Sequence, residues 1–280
     1  MTPHELAIDP LIDQALREDL GQAGDITTDA IVPSTARAVA TFVARRDGRV
    51  AGTFIAKRVF EKLSEDVSFE PLVEDGDDVD VGEPIALVSG KARAILTGER
   101  TALNFLSHLS GIATLTRRYK NAIGRTPPEI VATPKTTPGL RALEKYSVRC
   151  GGGGTHRYGL YDAVLIKDNH IAIAGGLREA VERARANTGD LAKIQVEVDT
   201  LAQLEELLTV GADAVLLDNM SPDVLIQAVD LCEGKMLTEA SGNITLDTIR
   251  NVADTGVDQI SAGALTHSAA SLDIGLDLTS

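Results

Sequence analysis

The chain has 280 residues, 27 Lys+Arg against 41 Asp+Glu, and a formal net charge of −14. An acidic chain with 3% aromatic residues and no Trp lacks the broad basic surface and the stacking rings that nucleic-acid binding uses, so no nucleic-acid partner is expected. Short, charge-interrupted apolar runs exclude a membrane-spanning helix, and two cysteines are too few for a disulfide framework or a Cys-based zinc site.

Residues 1–10 contain His4, Glu5 and Asp9 and no apolar run of a signal peptide, so a reducing cytoplasm fits. Residues 8–20 have the spacing of an amphipathic helix ended by Gly21, and Asp25-Ile26-Thr27-Thr28 follows as a turn or cap. Residues 38–50 alternate like a strand closed by the Asp47-Gly48 turn signal; 53–63 is helical and 67–73 reads as another strand. Residues 74–89 are similar to the hairpins of biotinyl and lipoyl carrier domains, but no Lys stands at a hairpin tip, so the segment reads as structural. A long helix is expected over 91–123, with Thr97-Gly98 marking the point where it would break. His108, within its apolar run, reads as a satisfied core or interface residue rather than a ligand.

After Thr126-Pro127-Pro128 the pattern becomes β then α, repeated. Short apolar runs stand at 130–133, 163–167, 194–199, 214–218, 236–241 and 259–263. Helical patterns lie between most of them, at 176–187, 201–210, 222–232 and 246–255. Six such units without a dinucleotide-binding Gly fingerprint favour a barrel over a doubly wound sheet. Thr137 and Pro138 would open a further helix ended by Gly151, carrying Arg141, Lys145 and Arg149 at four-residue spacing; a solvated face is the alternative to an anion-binding stripe.

In a βα barrel the chemistry gathers at the carboxyl ends of the strands. Here those ends carry Lys135, Lys167-Asp168-Asn169-His170, Glu197, Asp218, Ser241-Gly242-Asn243 and Gly263-Ala264-Leu265. Lys and Arg hold carboxylates or phosphates. Glu197 and Asp218, on separate strands, suit a Mg²⁺ that keeps several waters and bridges substrate phosphates. Small residues where helices begin expose backbone N–H groups to an anion. Charge points the same way: residues 91–170 hold 13 Lys/Arg against 5 Asp/Glu, a balance of +8, leaving −22 elsewhere.

The run Thr136-Thr137-Pro138-Gly139-Leu140-Arg141, with Glu144-Lys145-Tyr146, Gly151 to Gly154, His156-Arg157 and Leu165-Ile166-Lys167-Asp168-Asn169-His170, resembles the quinolinate phosphoribosyltransferase family (nicotinate-nucleotide pyrophosphorylase, carboxylating). The similarity runs from Glu18-Asp19-Leu20 and Asp25-Ile26-Thr27-Thr28 to Gly263-Ala264-Leu265-Thr266-His267-Ser268. It implies an α/β fold: an open N-terminal α/β sandwich, residues 1–125, then an incomplete, seven-stranded TIM-like α/β barrel, residues 126–280. It implies an enzyme joining quinolinate to phosphoribosyl pyrophosphate, with Mg²⁺, to give nicotinate mononucleotide, pyrophosphate and CO₂ for NAD biosynthesis. It also implies a homodimer with a shared active site. By this resemblance Arg100 reaches quinolinate across the dimer, His156, Arg157 and Lys167 bind quinolinate, and Lys135 lies near the reacting centre. Glu197 and Asp218 fall at the ribose and metal end. Ser241, Gly242, Asn243, Gly263, Ala264 and Leu265 form the 5′-phosphate cradle.

Two positions depart from the family's pattern. Pro134 stands where the family carries an Arg that contacts quinolinate, and Thr155 stands where an Asn precedes His-Arg. A phosphoribosyltransferase with altered aromatic-acid specificity is therefore an alternative. Others are a Schiff-base aldolase using Lys135 or Lys167 and a non-catalytic anion-binding or carrier module.

Overall fold

A computed structural model describes residues 2–124 and 128–279. The described chain forms two compact units. The first comprises the residues up to Arg117, Thr137–Gly152 and the residues from Ser268 onward; the second comprises Arg118–Thr136 and Gly153–His267. A single boundary between 125 and 126 does not describe this partition, because the chain returns to the first unit twice.

The first unit is built on a four-stranded antiparallel sheet in the order Ile274–Leu278, Arg37–Ala44, Pro84–Lys91, Ser68–Pro71. Alternation along Arg37–Ala44 sends Ala40, Phe42 and Ala44 into the core, as a half-buried strand requires. Phe42 meets Phe60 and Phe69 there, with ring centroids 6.1 and 5.7 Å apart. Phe60 comes from the helix Thr53–Leu63, whose bounds match the sequence reading. Asp75 satisfies the open start of that helix by accepting from the Gly52 and Thr53 N–H groups at 2.8 and 3.0 Å. Helix Glu5–Leu20 packs its Ile8, Ile12 and Leu16 into the same core.

Several expectations for this unit are corrected. The strand expected over 38–50 ends at Ala44, and Gly48–Arg49 pairs separately with Asp78–Val79. The carrier-like segment is no hairpin, since Asp78–Val79 and Pro84–Lys91 join different sheets. Helix Ala92–Ile123 runs unbroken through Thr97-Gly98. A Cβ at Gly98 would lie 2.8 Å from Leu63 and 2.9 Å from Phe60, so this glycine serves close packing rather than a break. The helix expected from Thr137 begins at Arg141, after a turn, and Gly151 ends it as expected. Lys145 on that helix is fully buried while Arg141 and Arg149 are exposed, so the three cations share no single solvated face.

The second unit contains a seven-stranded parallel sheet in the order Gly154–Thr155, Glu129–Ala132, Gln259–Ser261, Leu237–Ser241, Ala214–Asp218, Ile194–Val198, Val164–Ile166. Helices Leu177–Asn187, Leu201–Val210 and Pro222–Cys232 separate the strands as their 3.6-residue patterns demand, and Ile249–Ala253 is a shorter version of the helix expected at 246–255. Thr200 caps Leu201–Val210, and Pro222 opens its helix, where a missing N–H does no harm. A half-barrel of parallel strands in one unit and a separate antiparallel sheet in the other make up the two-domain α/β architecture expected. Among the described residues no helix is long and apolar enough to cross a membrane.

Candidate active site

Strand register places the chemistry on one face of the parallel sheet. Glu197 pairs with Leu216, which pairs with Glu239, while Asp218 pairs with Ser241 two residues further along. Residues two apart on a strand share a face, so Gln195, Glu197, Asp218, Glu239 and Ser241 all point the same way. Glu239 pairs with Gln259, and Ser261 follows on that face.

At the carboxyl ends of these strands lies a cavity of about 500 Å³. Lys135, Asp218, Ser241, Gly242, Asn243, Gly263 and Ala264 all line it, so seven of the residues proposed from sequence come together. Its backbone is shaped for close approach: Asn219, Gly242 and Asn243 have φ of 54°, 95° and 51°. A Cβ at Gly242 would overlap Asn219 Oδ1 and lie 2.9 Å from the Asn219 backbone nitrogen. Asn243 Nδ2 donates to Asn219 Oδ1 at 3.1 Å, tying the two strand ends together. Among the described residues the Gly242, Asn243, Gly263 and Ala264 N–H groups make no hydrogen bond to the protein. Leu265 differs: it is fully buried and its N–H donates to Ala262 O at 3.4 Å, so of the Gly263–Leu265 run only the first two residues face the cavity.

Lys135 is exposed, and its loop is held by Thr266, whose hydroxyl donates to Lys135 O at 2.7 Å. Asp218 Oδ2 accepts from Asn219 Nδ2 at 2.6 Å. Glu197 does not line this cavity; its carboxylate lies 3.0 Å from Lys167 Nζ in a partly buried ion pair. Among the described residues no group of three or more His, Cys, Asp or Glu is placed to hold a metal. Asp218, open to the cavity, and Glu197 on the same face form a two-carboxylate set, which suits a hard cation that keeps waters.

His156 and Arg157 lie elsewhere, lining a second cavity of about 550 Å³ with Gln195, Glu239 and the residues that begin four strands. His156 Nδ1 accepts from Arg157 N at 2.8 Å, while Nε2 lies 2.9 Å from Gln195 Oε1 and 3.2 Å from Glu239 Oε2. Gln195 Nε2 also donates to Glu239 Oε2 at 2.8 Å. Burial pushes the Glu239 carboxyl up, but His156, Ser261 and Gln195 outweigh it and hold the group below its usual range. Arg100 belongs to the first unit, where it is largely exposed and Nη1 donates to Asp19 Oδ1 at 2.6 Å.

Thr133, Asn219, Ser261 and His267 also line the cavity at the strand ends, although the sequence reading gave them no site role. The interior pairing of Gln195 with Glu239 was not anticipated either. Its signal was present: Gln195-Val-Glu197, Glu239-Ala-Ser241 and Gln259-Ile-Ser261 place polar residues two apart inside strands that should be apolar throughout.

Comparison with known proteins agrees over the whole chain. The model of the quinolinate phosphoribosyl transferase N-terminal domain matches residues 25–110 and that of the C-terminal domain residues 112–277. A probable nicotinate-nucleotide pyrophosphorylase [carboxylating] of Bacillus subtilis is 44% identical, covering 99% of this chain and 95% of the relative. The nicotinate-nucleotide pyrophosphorylase [carboxylating] of Mycobacterium leprae is 43% identical over 95% of both chains. Among solved structures, NadC from Streptococcus pyogenes superposes with a TM-score of 0.95 at 40% identity, covering 100% of each chain. Two matched domain models, relatives of more than 40% identity and a fold shared end to end leave one assignment: the chain belongs to the quinolinate phosphoribosyltransferase family.

Proposed function

We propose that this chain transfers the phosphoribosyl group of phosphoribosyl pyrophosphate to quinolinate, with decarboxylation, giving nicotinate mononucleotide, pyrophosphate and CO₂. The observation that carries this reading is the cavity at the strand ends, where Lys135, Asp218 and four unengaged backbone N–H groups face one space. Such N–H groups, two of them where the helix Ala264–His267 begins, suit a phosphate. Lys135 adds a point charge near it.

Each step asks little covalent work of the protein. Loss of pyrophosphate builds positive character on the anomeric carbon, and Asp218 is positioned to stabilise it electrostatically. The pyridine nitrogen attacks that carbon as the C–O bond to pyrophosphate breaks, and the ring nitrogen becomes cationic. The neighbouring carboxylate then leaves as CO₂, its bonding electrons are held by the cationic ring, and a proton takes its place. Orientation of two polyanions against their mutual repulsion is the main task. Mg²⁺, when bound, neutralises pyrophosphate charge, and Asp218 with Glu197 would hold it. No nucleophilic lysine enters this scheme, and Lys167 Nζ is already engaged by Glu197.

The working form is a homodimer in the cytoplasm, with Arg100 serving the site of a second copy. Incubating the protein with quinolinate, phosphoribosyl pyrophosphate and Mg²⁺ and following nicotinate mononucleotide tests the activity; folded protein that forms none above background overturns it. Arg100→Ala and Lys135→Ala should each lose most activity. Mixed after subunit exchange, they should regain part of it, and failure to do so argues against the shared site.

A further inference from the structure

The Asp218 side chain has one hydrogen-bond partner among the described residues: Oδ2 accepts from Asn219 Nδ2 at 2.6 Å. Asn219 is held in turn at its other side-chain end, where Oδ1 accepts from Asn243 Nδ2 at 3.1 Å. These side chains form a chain that starts beside the phosphate cradle and ends at the carboxylate, and all three residues line one cavity.

The middle of this chain is fixed although it is exposed. The Asn219 backbone has φ of 54°, a left-handed conformation that Asn adopts more readily than most residues, and its N–H donates to Ser241 O at 2.9 Å. Its side chain lies against Gly242, where a Cβ would overlap Oδ1. An amide held there has two orientations. The observed one gives Asp218 a donor and Asn243 an acceptor. The flipped one sets oxygen against the Asp218 carboxylate and NH₂ against the Asn243 NH₂, so both neighbours select the same orientation.

Electrostatic stabilisation of a developing cation requires a charge already in place, and a carboxylate free to rotate does not supply one. We infer that Asn219 is a positioning residue: its amide holds Asp218 Oδ2 and so presents Oδ1 to the ribose of the phosphoribosyl donor, while Asn243 holds Asn219. Asn243 then has two tasks, its backbone N–H in the cradle and its side chain on this chain. Anchoring the 5′-phosphate and aligning the carboxylate are thereby coupled through one residue. The inference rests on the role proposed for Asp218 at the anomeric carbon, and adds two residues that act through it.

Glycine keeps a left-handed backbone, so Asn219→Gly and Asn243→Gly delete only exposed side chains and leave the core intact. With both substrates saturating, Asn219→Gly should lower kcat roughly 10–100-fold, the usual cost of losing such a partner, with the quinolinate KM within about twofold. Asn219→Asp is the sharper variant. It keeps the shape and the acceptor for Asn243, so a merely structural role predicts near-parental kcat; positioning predicts a loss at least as large as that of Asn219→Gly. Adding Asn243→Gly to Asn219→Gly, or Asn219→Gly to Asp218→Asn, should cost less than about twofold more, because each pair acts through one carboxylate. Crystal structures of the parent and Asn219→Gly give a readout independent of turnover: the Asp218 carboxylate should keep one orientation in the parent and lose it in the variant. An Asp218 carboxylate unmoved in Asn219→Gly, or an Asn219→Asp kcat within about twofold of the parent, overturns this inference alone. A near-parental kcat in Asp218→Asn overturns instead the role given to Asp218.

Discussion

Replacing Gly242 with Ala perturbs the strand-end cavity at its tightest point. The residue has φ of 95°, where an L side chain costs about 1–2 kcal/mol. The new methyl overlaps Asn219 Oδ1, so that side chain must swing away. Its hydrogen bond from Asn243 Nδ2, now 3.1 Å, is then lost, for about 1 kcal/mol more. Because the methyl also sits 2.9 Å from the Asn219 backbone nitrogen, side-chain motion alone does not relieve the crowding. The sum is about 2–3 kcal/mol, which for a chain of 280 residues lowers the melting temperature by roughly 3–5 °C. Function should respond selectively, because the displaced segment holds the Gly242 and Asn243 N–H groups proposed to bind phosphate. The KM for phosphoribosyl pyrophosphate should rise about tenfold or more, since misplacement by about 1 Å is already expensive, while that for quinolinate stays near its starting value. Thermal unfolding and steady-state kinetics with each substrate varied in turn measure both effects. A melting temperature within about 2 °C of the parent, with an unchanged phosphoribosyl pyrophosphate KM, would refute the reasoning.

Three further outcomes are expected. Pro134→Arg should lower the quinolinate KM about tenfold by restoring a charged partner for a carboxylate; an equal or higher value shows that another cation already fills that role. The Arg58 guanidinium, against burial and with help from Lys62, holds the Asp9 carboxyl at about 2. A carboxyl lowered on folding stabilises the fold above its unfolded pKa and loses that contribution as pH falls, so the stability gap between the parent and Asp9→Asn should close from about pH 4 down to about pH 2; a gap independent of pH in denaturant titrations contradicts this. Burial pushes the Cys150 thiol up to about 11 and raises Cys232 as well. Neither should react with a disulfide reagent at pH 8 in the native protein, and both should react on unfolding; rapid native labelling of either would count against the packing described.

Legibility varied with how local each feature is. Leu201–Val210, Pro222–Cys232 and Ala214–Asp218 have bounds readable from periodicity and caps, because adjacent residues determine them. Gly154–Thr155 is two residues inside a glycine run and becomes a strand only by pairing with Val131 and Ala132. Nothing in residues 274–278 announces a partner more than 230 positions earlier. Lys145 shows the limit of spacing arguments: its stripe is visible in sequence, but which helix face the fold covers is not. At the site, residues at strand ends were found because strand direction and topology place them. His156 is the contrary case, since its strand ends near the rim while its ring reaches Gln195 and Glu239 inside the barrel.

The pairing of Ile274–Leu278 with Arg37–Ala44 also bears on how the molecule is made. During synthesis, Arg37–Ala44 emerges early, yet one of its two neighbours lies 230 or more positions further along the chain. Until then an apolar strand has an unpaired edge open to other nascent chains, the kind of edge that seeds aggregation. Completing the first unit must therefore wait for the second to pass through the ribosome, so a chain cut short near residue 267 would carry the finished barrel sequence and an unfinished sheet.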